Sequence, residues 1–256
     1  RSGRGAREWG KLNIAQCISS AKQVSNDIVV LDSNSTDSTT KIARKHGARV
    51  ISRKFDGWAN HQNWAIKNID FNNKWVLYID ADERIPEELA REILKIDPKN
   101  NTVAYKIYRD NRFLNGEKLR FSMSCPGILR LFQPNFVRYE RQINPVCIAN
   151  GQTGKLKTKL VHYNFSKGLE EWVLKHLDYA RREAYEIKLK KPNVKILKRL
   201  AYYLPKHRFF FRFIYQLIFK LGILDGYAGI RYTILISFYE HLIEEFKHDQ
   251  WYLWNG

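Results

Sequence analysis

The chain has 256 residues, 44% of them apolar and 14% aromatic, enough to bury a core as one large domain or one domain with an appendage, which excludes a disordered polypeptide. Its 44 Lys and Arg against 26 acids leave a net charge of +18, so the expected partner is anionic: nucleic acid, a phosphorylated small molecule or an anionic membrane surface. Cys17, Cys125 and Cys147 are odd in number and lack metal-ligand spacing, which excludes a disulfide framework or zinc site and fits core thiols in a reducing compartment.

Residues 1 to 12 show neither helical nor strand periodicity and no apolar signal core. With Met123 the only methionine, residue 1 is not an initiator, and this start is read as irregular, non-native, truncated or frame-shifted. From Asn13 to Lys22, Ile14, Ala15, Cys17, Ile18 and Ala21 recur at helical spacing. Ile28 to Leu31 is a β-branched strand ending on Asp32, followed by the polar run Ser33 to Ser38, a helix to His46 closed by Gly47, and a strand at Val50-Ile51. Strand, helix, strand at this spacing predicts a parallel crossover, a unit that places ligands at the carboxyl ends of its strands. Phe55 to Lys67 predicts a helix whose Asn60, His61, Gln62 and Asn63 face a cleft.

Trp75 to Ile79 is apolar on both faces, reads as an interior strand of a covered sheet, and stops at Asp80, Asp82 and Glu83. If extended geometry continues, Asp80 and Asp82 point the same way and offer hard oxygen ligands for Mg²⁺ or Mn²⁺ carrying a diphosphate. The opposing reading makes Asp80 to Glu83 a solvated turn capping the helix that Pro86 opens, running to Ile96; a second strand ending on a carboxylate, Asp32, favours the site.

Beyond it, Thr102 to Arg109 alternates as a strand with Val103, Tyr105 and Ile107 on one face, and Asn115-Gly116 marks a turn. Gly127 to Phe132 is strand-like with Arg130 in its middle, Lys159 to Phe165 alternates again with His162 as a hydrogen-bonded structural residue, and Gly168 to Lys190 is a long helix. Between Glu186 and Asp225 the chain carries ten Lys or Arg, eight aromatics and no acid. Within Phe209 to Leu224 the polar residues Arg212, Gln216 and Lys220 recur every four positions, so a helix there carries one cationic stripe on an apolar cylinder, a pattern suited to a membrane interface. The competing reading makes this segment and Tyr227 to Ile243 the core of a soluble helical subdomain.

Ile28 to Asp37, Gly57 to Asn63 and Tyr78 to Arg84, together with Leu129-Arg130-Leu131-Phe132, Leu160-Val161-His162-Tyr163 and Leu224 to Gly229, resemble in their order the family 2 glycosyltransferases, most closely those building bacterial lipopolysaccharide core or exopolysaccharide. The resemblance covers about residues 13 to 245. It implies an α/β GT-A fold with a mostly parallel, Rossmann-like sheet over 13–190 and flanking helices, while the composition of 191–256 is read as a basic, aromatic-rich, membrane-interfacial helical tail. It further implies inverting transfer of a hexosyl or heptosyl unit from a nucleotide-diphosphate sugar to a hydroxyl of a lipid-linked or polysaccharide acceptor. Asp32, Asp80 and Asn63 are then nucleotide-contacting residues, and Asp82 with Asp80 holds a divalent cation, Mg or Mn, on the diphosphate.

Two positions depart from the family pattern. Asn144-Pro145 stands where relatives often carry a carboxylate, leaving Glu140 as the candidate general base against a plain pairing with Arg138 or Arg141. No apolar first strand precedes Asn13, which predicts an unpaired edge beside Ile28 to Leu31. The expected setting is cytoplasmic, on the inner face of the cytoplasmic membrane. The alternatives are a nucleotidyltransferase, a catalytically impaired membrane-peripheral sugar-nucleotide-binding protein, and a nucleic-acid-binding protein; the last is disfavoured because the cations cluster with large aliphatics.

Overall fold

The structure is a computed structural model that describes residues 13–97, 101–140, 145–189 and 207–249. The expectations for residues 1–12, for Asn144 and for the start of the tail lie outside the described residues. The chain divides into two compact units, Arg1–Asp110 with Cys125–Ser166 and Asn111–Ser124 with Lys167–Gly256.

In the first unit a helix over 13–21 (α1) precedes β1 (Val29–Asp32), α2 (Thr39–Lys45) and β2 (Arg49–Ser52). β1 and β2 pair in parallel, Val30 opposite Val50, so the crossover unit is present where the periodicity places it. Ile14, Ile18, Ala43 and Ala48 form a buried cluster with Ile28, Val30 and Val50, which removes the apolar faces of α1 and α2 from water. Gly47, at φ 79°, ends α2 in a backbone conformation that costs a side chain-bearing residue about 1 kcal/mol or more. Among the described residues β1 pairs only with β2.

There follow α3 (Trp58–Asn68), β3 (Val76–Leu77), β4 (Glu83–Arg84), α4 (Glu87–Leu94), β5 (Thr102–Arg112), β6 (Lys118–Leu119), β7 (Ile128–Phe132), β8 (Val137–Glu140), β9 (Val146–Ala149) and β10 (Gln152–His162), of which β6 and the last two residues of β5 belong to the second unit. One sheet runs in the order β3-β7-β5-β10-β4, with β6 on β5; β8 and β9 form a separate pair.

The architecture is the expected α/β one, with β1 and β2 paired in parallel, but antiparallel pairs outnumber this one among the described residues. β10 with β4, β3 with β7, β5 with β6 and β7, and β8 with β9 are all antiparallel. A parallel pair needs a crossover, usually a helix, and β5, β6 and β7 follow one another without one. The expected interior strand Trp75–Ile79 is also shorter and differently placed: β3 sits at the end of the sheet. Its apolar run is nevertheless explained, because Trp75, Leu77 and Ile79 join a cluster around Leu89, Ile107, Leu131 and Leu160, while Val76 and Tyr78 join one around Ala59, Ala104 and Phe132.

The second unit contains α5 (Gly168–Leu189), α6 (Arg208–Ile214), a π turn at Tyr215–Phe219, a 3₁₀ turn at Gly222–Asp225 and α7 (Gly226–His248). The compact boundary falls after Ser166 rather than after residue 190, because α5 buries Ala180 and Ala184 against Ile243 of α7. The expected continuous helix through Leu224 instead breaks at Leu221, whose φ is 54°. The Asp225 carboxylate accepts the backbone N–H groups of Arg120, Phe121 and Ser122 at 2.9, 3.1 and 2.8 Å and the Ser122 hydroxyl at 2.6 Å. Gly229 has no room for a Cβ against the Gly222 carbonyl and serves close backbone packing, whereas Gly226 has open space and a φ of 63° that favours glycine.

On α5 the His176 ring stacks on Trp172 at 3.6 Å between centroids and its Nδ1–H donates to the Trp172 carbonyl at 2.7 Å. Burial, aided by the charge of Lys175 and opposed by that hydrogen bond, pushes its pKa from 6.5 down to about 4. The unfolded chain therefore binds this proton first as pH falls. His176 contributes stability that is complete above about pH 6.5 and is lost as pH falls through about 4. Urea midpoints should drop across that window, and His176→Phe, which keeps a ring on Trp172, should lessen the drop; identical pH slopes for the two proteins would contradict this assignment.

Candidate functional site

β3 ends in a tight turn: Glu83 N–H donates to the Asp80 carbonyl at 2.9 Å, and Asp80 N–H donates to the Glu83 carboxylate at 2.8 Å. The strand does not stay extended through Asp82, so Asp80 and Asp82 reach different partners. Nor is the turn a solvated cap, since Glu83 is 0% exposed.

Two arginines from neighbouring strands enter from the sheet. Arg109 of β5 donates through Nε to Glu83 at 2.5 Å and through Nη2 to Asp80 at 2.9 Å. Arg130 of β7 donates from Nη2 to Asp80 at 2.6 Å and to Glu83 at 3.2 Å, with its guanidinium over the Tyr78 ring at 4.6 Å. The Tyr78 hydroxyl donates to the other Asp80 oxygen at 3.0 Å. Burial raises the Asp80 carboxyl, but Arg130 and then Arg109 outweigh it and bring it down to about 2. The same burial acts to lower the Arg130 pKa, yet Asp80 and Glu83 together carry it above the ordinary arginine value.

Asp82 lies at the tip of the turn. Its carbonyl accepts Tyr163 N–H at 2.9 Å, tying the tip to the end of β10, and its carboxylate lies 3.6 Å from Nε2 of His162. Arg84 holds the turn from the other side, donating to the carbonyls of Ala81 and Glu83 and to the side chains of Asn13 and Gln16 on α1.

Asp32 is buried, and its carboxylate accepts Ser35 N–H at 3.0 Å. Among the described residues no hydrogen bond or ion pair joins it to Asp80 or Asp82; the link runs through α3. Arg53 donates to His61 Nδ1 at 3.0 Å, and a guanidinium is a donor only, so Nε2 carries the proton toward the Ser33 hydroxyl at 3.4 Å. Burial, then the Arg53 charge, lowers the His61 pKa, consistent with a neutral ring. The next residue, Gln62, donates to the Tyr78 hydroxyl at 2.9 Å, and so joins the relay to Asp80.

Asn63 does not face a cleft. Its amide donates to the Tyr139 carbonyl and accepts Tyr139 N–H, both at 2.8 Å, clamping α3 to β8. Glu140, on β8, accepts from Arg138 Nε at 2.9 Å in a half-exposed pair. A surface cleft lined by Glu88, Arg91, Glu92, Lys95, Lys157 and Thr158 includes none of the expected site residues.

Among the described residues no group of three His, Cys, Asp or Glu side chains is arranged to hold a metal ion. The direct ligand role expected of Asp80 is at odds with its partners, because both its oxygens accept from arginine or tyrosine. Asp82 does fit: a single carboxylate completed by diphosphate oxygens and water is an ordinary setting for Mg²⁺. The expectations missed Arg109, Arg130, Gln62 and the neighbourhood of His162. Arg130 and His162 were signalled as polar side chains in otherwise apolar runs, Ile128 to Phe132 and Leu160 to Tyr163, whereas Arg109 and Gln62 stand among other polar residues and carried no such signal.

Residues 8–156 match the family described as Glycosyl transferase family 2. An uncharacterized glycosyltransferase of Rickettsia conorii is 27% identical over 241 residues, covering 88% of this chain and 81% of that protein. One of Rickettsia typhi is 33% identical over 134 residues, 51% of this chain and 45% of that protein. The crystal structure of S. aureus TarS 1–349 aligns over 93% of this chain and 87% of its own at 14% identity and a TM-score of 0.44, too loose a likeness to carry function across.

Arg130→Met leaves two acids to one arginine, with Glu83 out of water. It should cost about 3–5 kcal/mol in urea unfolding, whereas Arg138→Met in the half-exposed pair should stay within about 0.5 kcal/mol. Equal effects of the two substitutions would mean that the buried cluster does not hold the turn.

Proposed function

The chain belongs to glycosyltransferase family 2, and we propose that it moves a hexosyl or heptosyl unit from a nucleotide-diphosphate sugar to a hydroxyl of a lipid-linked, lipopolysaccharide or exopolysaccharide acceptor, inverting the anomeric centre. The observation that carries this reading is the Asp80–Glu83 turn. Two arginines pin its base, and Asp82 is left at its tip with a carboxylate that no arginine holds among the described residues.

In this reading the nucleotide lies against Asp32 and Asp80. Asp80 is the better placed to meet sugar hydroxyl donors, since its side chain remains 35% exposed while Arg109 and Arg130 keep it ionised. Asp82 would hold the Mg²⁺ or Mn²⁺ ion, whose contribution is to neutralise the departing diphosphate. His162 Nε2 lies 3.6 Å from the Asp82 carboxylate. Arg84 and the Tyr163 N–H fix the backbone on which Asp82 sits, so that little reorganisation is needed when charge develops. Glu140 is assigned the acceptor's proton, a role that requires it to exchange Arg138 for the acceptor hydroxyl. The enzyme would act at the cytoplasmic face of the membrane, where a lipid-linked acceptor is found.

A thermal-shift panel of sugar nucleotides tests the donor: one nucleotide should raise the melting temperature with Mn²⁺ present and do so much less without it. Asp82→Asn should keep the fold and lower turnover at least about 100-fold, the size of one lost transition-state charge contact. Turnover that survives this substitution would remove the metal-bound diphosphate from the mechanism. Glu140→Gln should lower kcat by about 10²-fold or more if Glu140 is the base, and change little if it only pairs with Arg138.

A further inference from the structure

The parallel strands β1 and β2 end in loops that are tied together. Arg53 N–H donates to the Asp32 carbonyl at 2.9 Å, and the Arg53 guanidinium donates to both Asp56 carboxylate oxygens at 2.6 Å, so the loop after β2 is braced at the end of β1. On that loop and the start of α3 sit two large rings that the core does not use. Phe55 is 38% and Trp58 43% exposed, and they meet edge to face at 5.1 Å between centroids. Gly57, at φ 119°, makes the reversal between them, in a conformation that side chain-bearing residues avoid. Phe55 also lies 5.6 Å from the ring of His61, whose Nε2 faces the Ser33 hydroxyl at 3.4 Å, so the aromatic pair stands one ring away from the residue that follows Asp32. Asp32 offers a polar edge beside it: the residue is buried, its Oδ2 accepts Ser35 N–H, and its Oδ1 has no partner among the described residues.

We propose that Phe55 and Trp58 form the platform on which the base of the nucleotide stacks, with Asp32 accepting a base N–H. The proposal rests on the sugar-nucleotide reading above and extends it to two residues which that reading leaves unused. Three observations select a base as the occupant. Parallel strand units bind ligands at the carboxyl ends of their strands, and the ring pair lies at that end of β1 and β2. A buried carboxylate beside two aromatic rings calls for a flat group with donors on its rim; nucleobases carry π faces and edge N–H groups, whereas an aliphatic chain has no donor to give Asp32. Finally, α3 sets the base and the diphosphate apart. His61 reaches Ser33 beside Asp32, while Gln62 reaches Tyr78 and through it Asp80, in the turn that carries Asp82. Because the Arg53–Asp56 pair and Gly57 fix the loop in advance, little conformational freedom is left to lose on binding.

The test is calorimetric titration of the full chain with UDP, GDP, ADP and CDP, and with inorganic pyrophosphate as the base-free probe, all with Mn²⁺ present. At least one nucleoside diphosphate should bind more tightly than pyrophosphate. Phe55→Ala and Trp58→Ala should each weaken that nucleotide about 5-fold or more, the size of one lost base–aromatic stack, and leave pyrophosphate affinity unchanged; Trp58→Phe, which keeps a ring, should recover most of the loss. The same nucleotide should quench tryptophan emission in the parent and quench it less in Trp58→Phe, a comparison that decides the matter should the alanine variants misfold. The proposal is overturned if both alanine variants bind the nucleotide as the parent does, which would give the rings to another ligand such as an acceptor sugar, or if pyrophosphate affinity falls in step with nucleotide affinity. Either result leaves the sugar-nucleotide reading standing. A parent chain that binds none of the four nucleoside diphosphates would sink that reading and this proposal together.

Discussion

Glu83 is fully buried, and a carboxylate taken out of water is tolerated only where cations and donors stand ready to replace the lost hydration. Here Arg109 and Arg130 supply them from adjacent strands, and the turn that carries Asp80 and Asp82 is fixed as a by-product. β3 contributes only Val76 and Leu77 to the sheet, too little ladder to define where its end points. The ion cluster does what a longer strand would otherwise do. Buried charge is a poor source of net stability, and its use at this position is better understood as specifying one geometry for the turn.

α3 serves the same end with uncharged groups. His61, Gln62 and Asn63 are consecutive, so they point in three directions around the helix, and each reaches a different element: Ser33 after β1, Tyr78 after β3, and the backbone of Tyr139 on β8. A row of polar residues beside tryptophans suggests a face on a cleft. In the folded protein it is a set of hydrogen-bonded tethers instead, although the Gln62 amide oxygen is buried without a partner among the described residues. The ends of β1 and β3 are held by successive residues of a single helix turn, which ties together two strand ends far apart in the chain.

The helical unit shows how the same pattern is resolved by its surroundings. A stripe of Arg212, Gln216 and Lys220 on an apolar helix describes equally well a helix floating with its cations outward and one whose polar line is gripped from within. The loop of residues 111–124 decides between them, because the carbonyls of Ser122 and Ser124 lie open to donors and Asp225 holds that loop in place through its backbone N–H groups. With Gln216 and Lys220 donating to these carbonyls the polar line faces inward, and the aromatic side is what remains.

The sequence alone determined the strand, helix and strand of residues 29–52, the acids at the ends of β1 and β3, the turns at Gly47 and Asn115-Gly116, and the order of motifs that belongs to glycosyltransferase family 2. These follow from local periodicity, turn chemistry and spacing, which are carried by neighbours in the chain. It did not determine that β3 ends its sheet, that most pairing is antiparallel, that Asp80 meets arginines while Asp82 meets His162, or that Asn63 clamps β8. Periodicity states which residues share a face, and only the packed structure states what that face meets. Partners such as Arg109 and Arg130 lie 26 to 50 residues from the acids they hold, a separation across which no local pattern carries information.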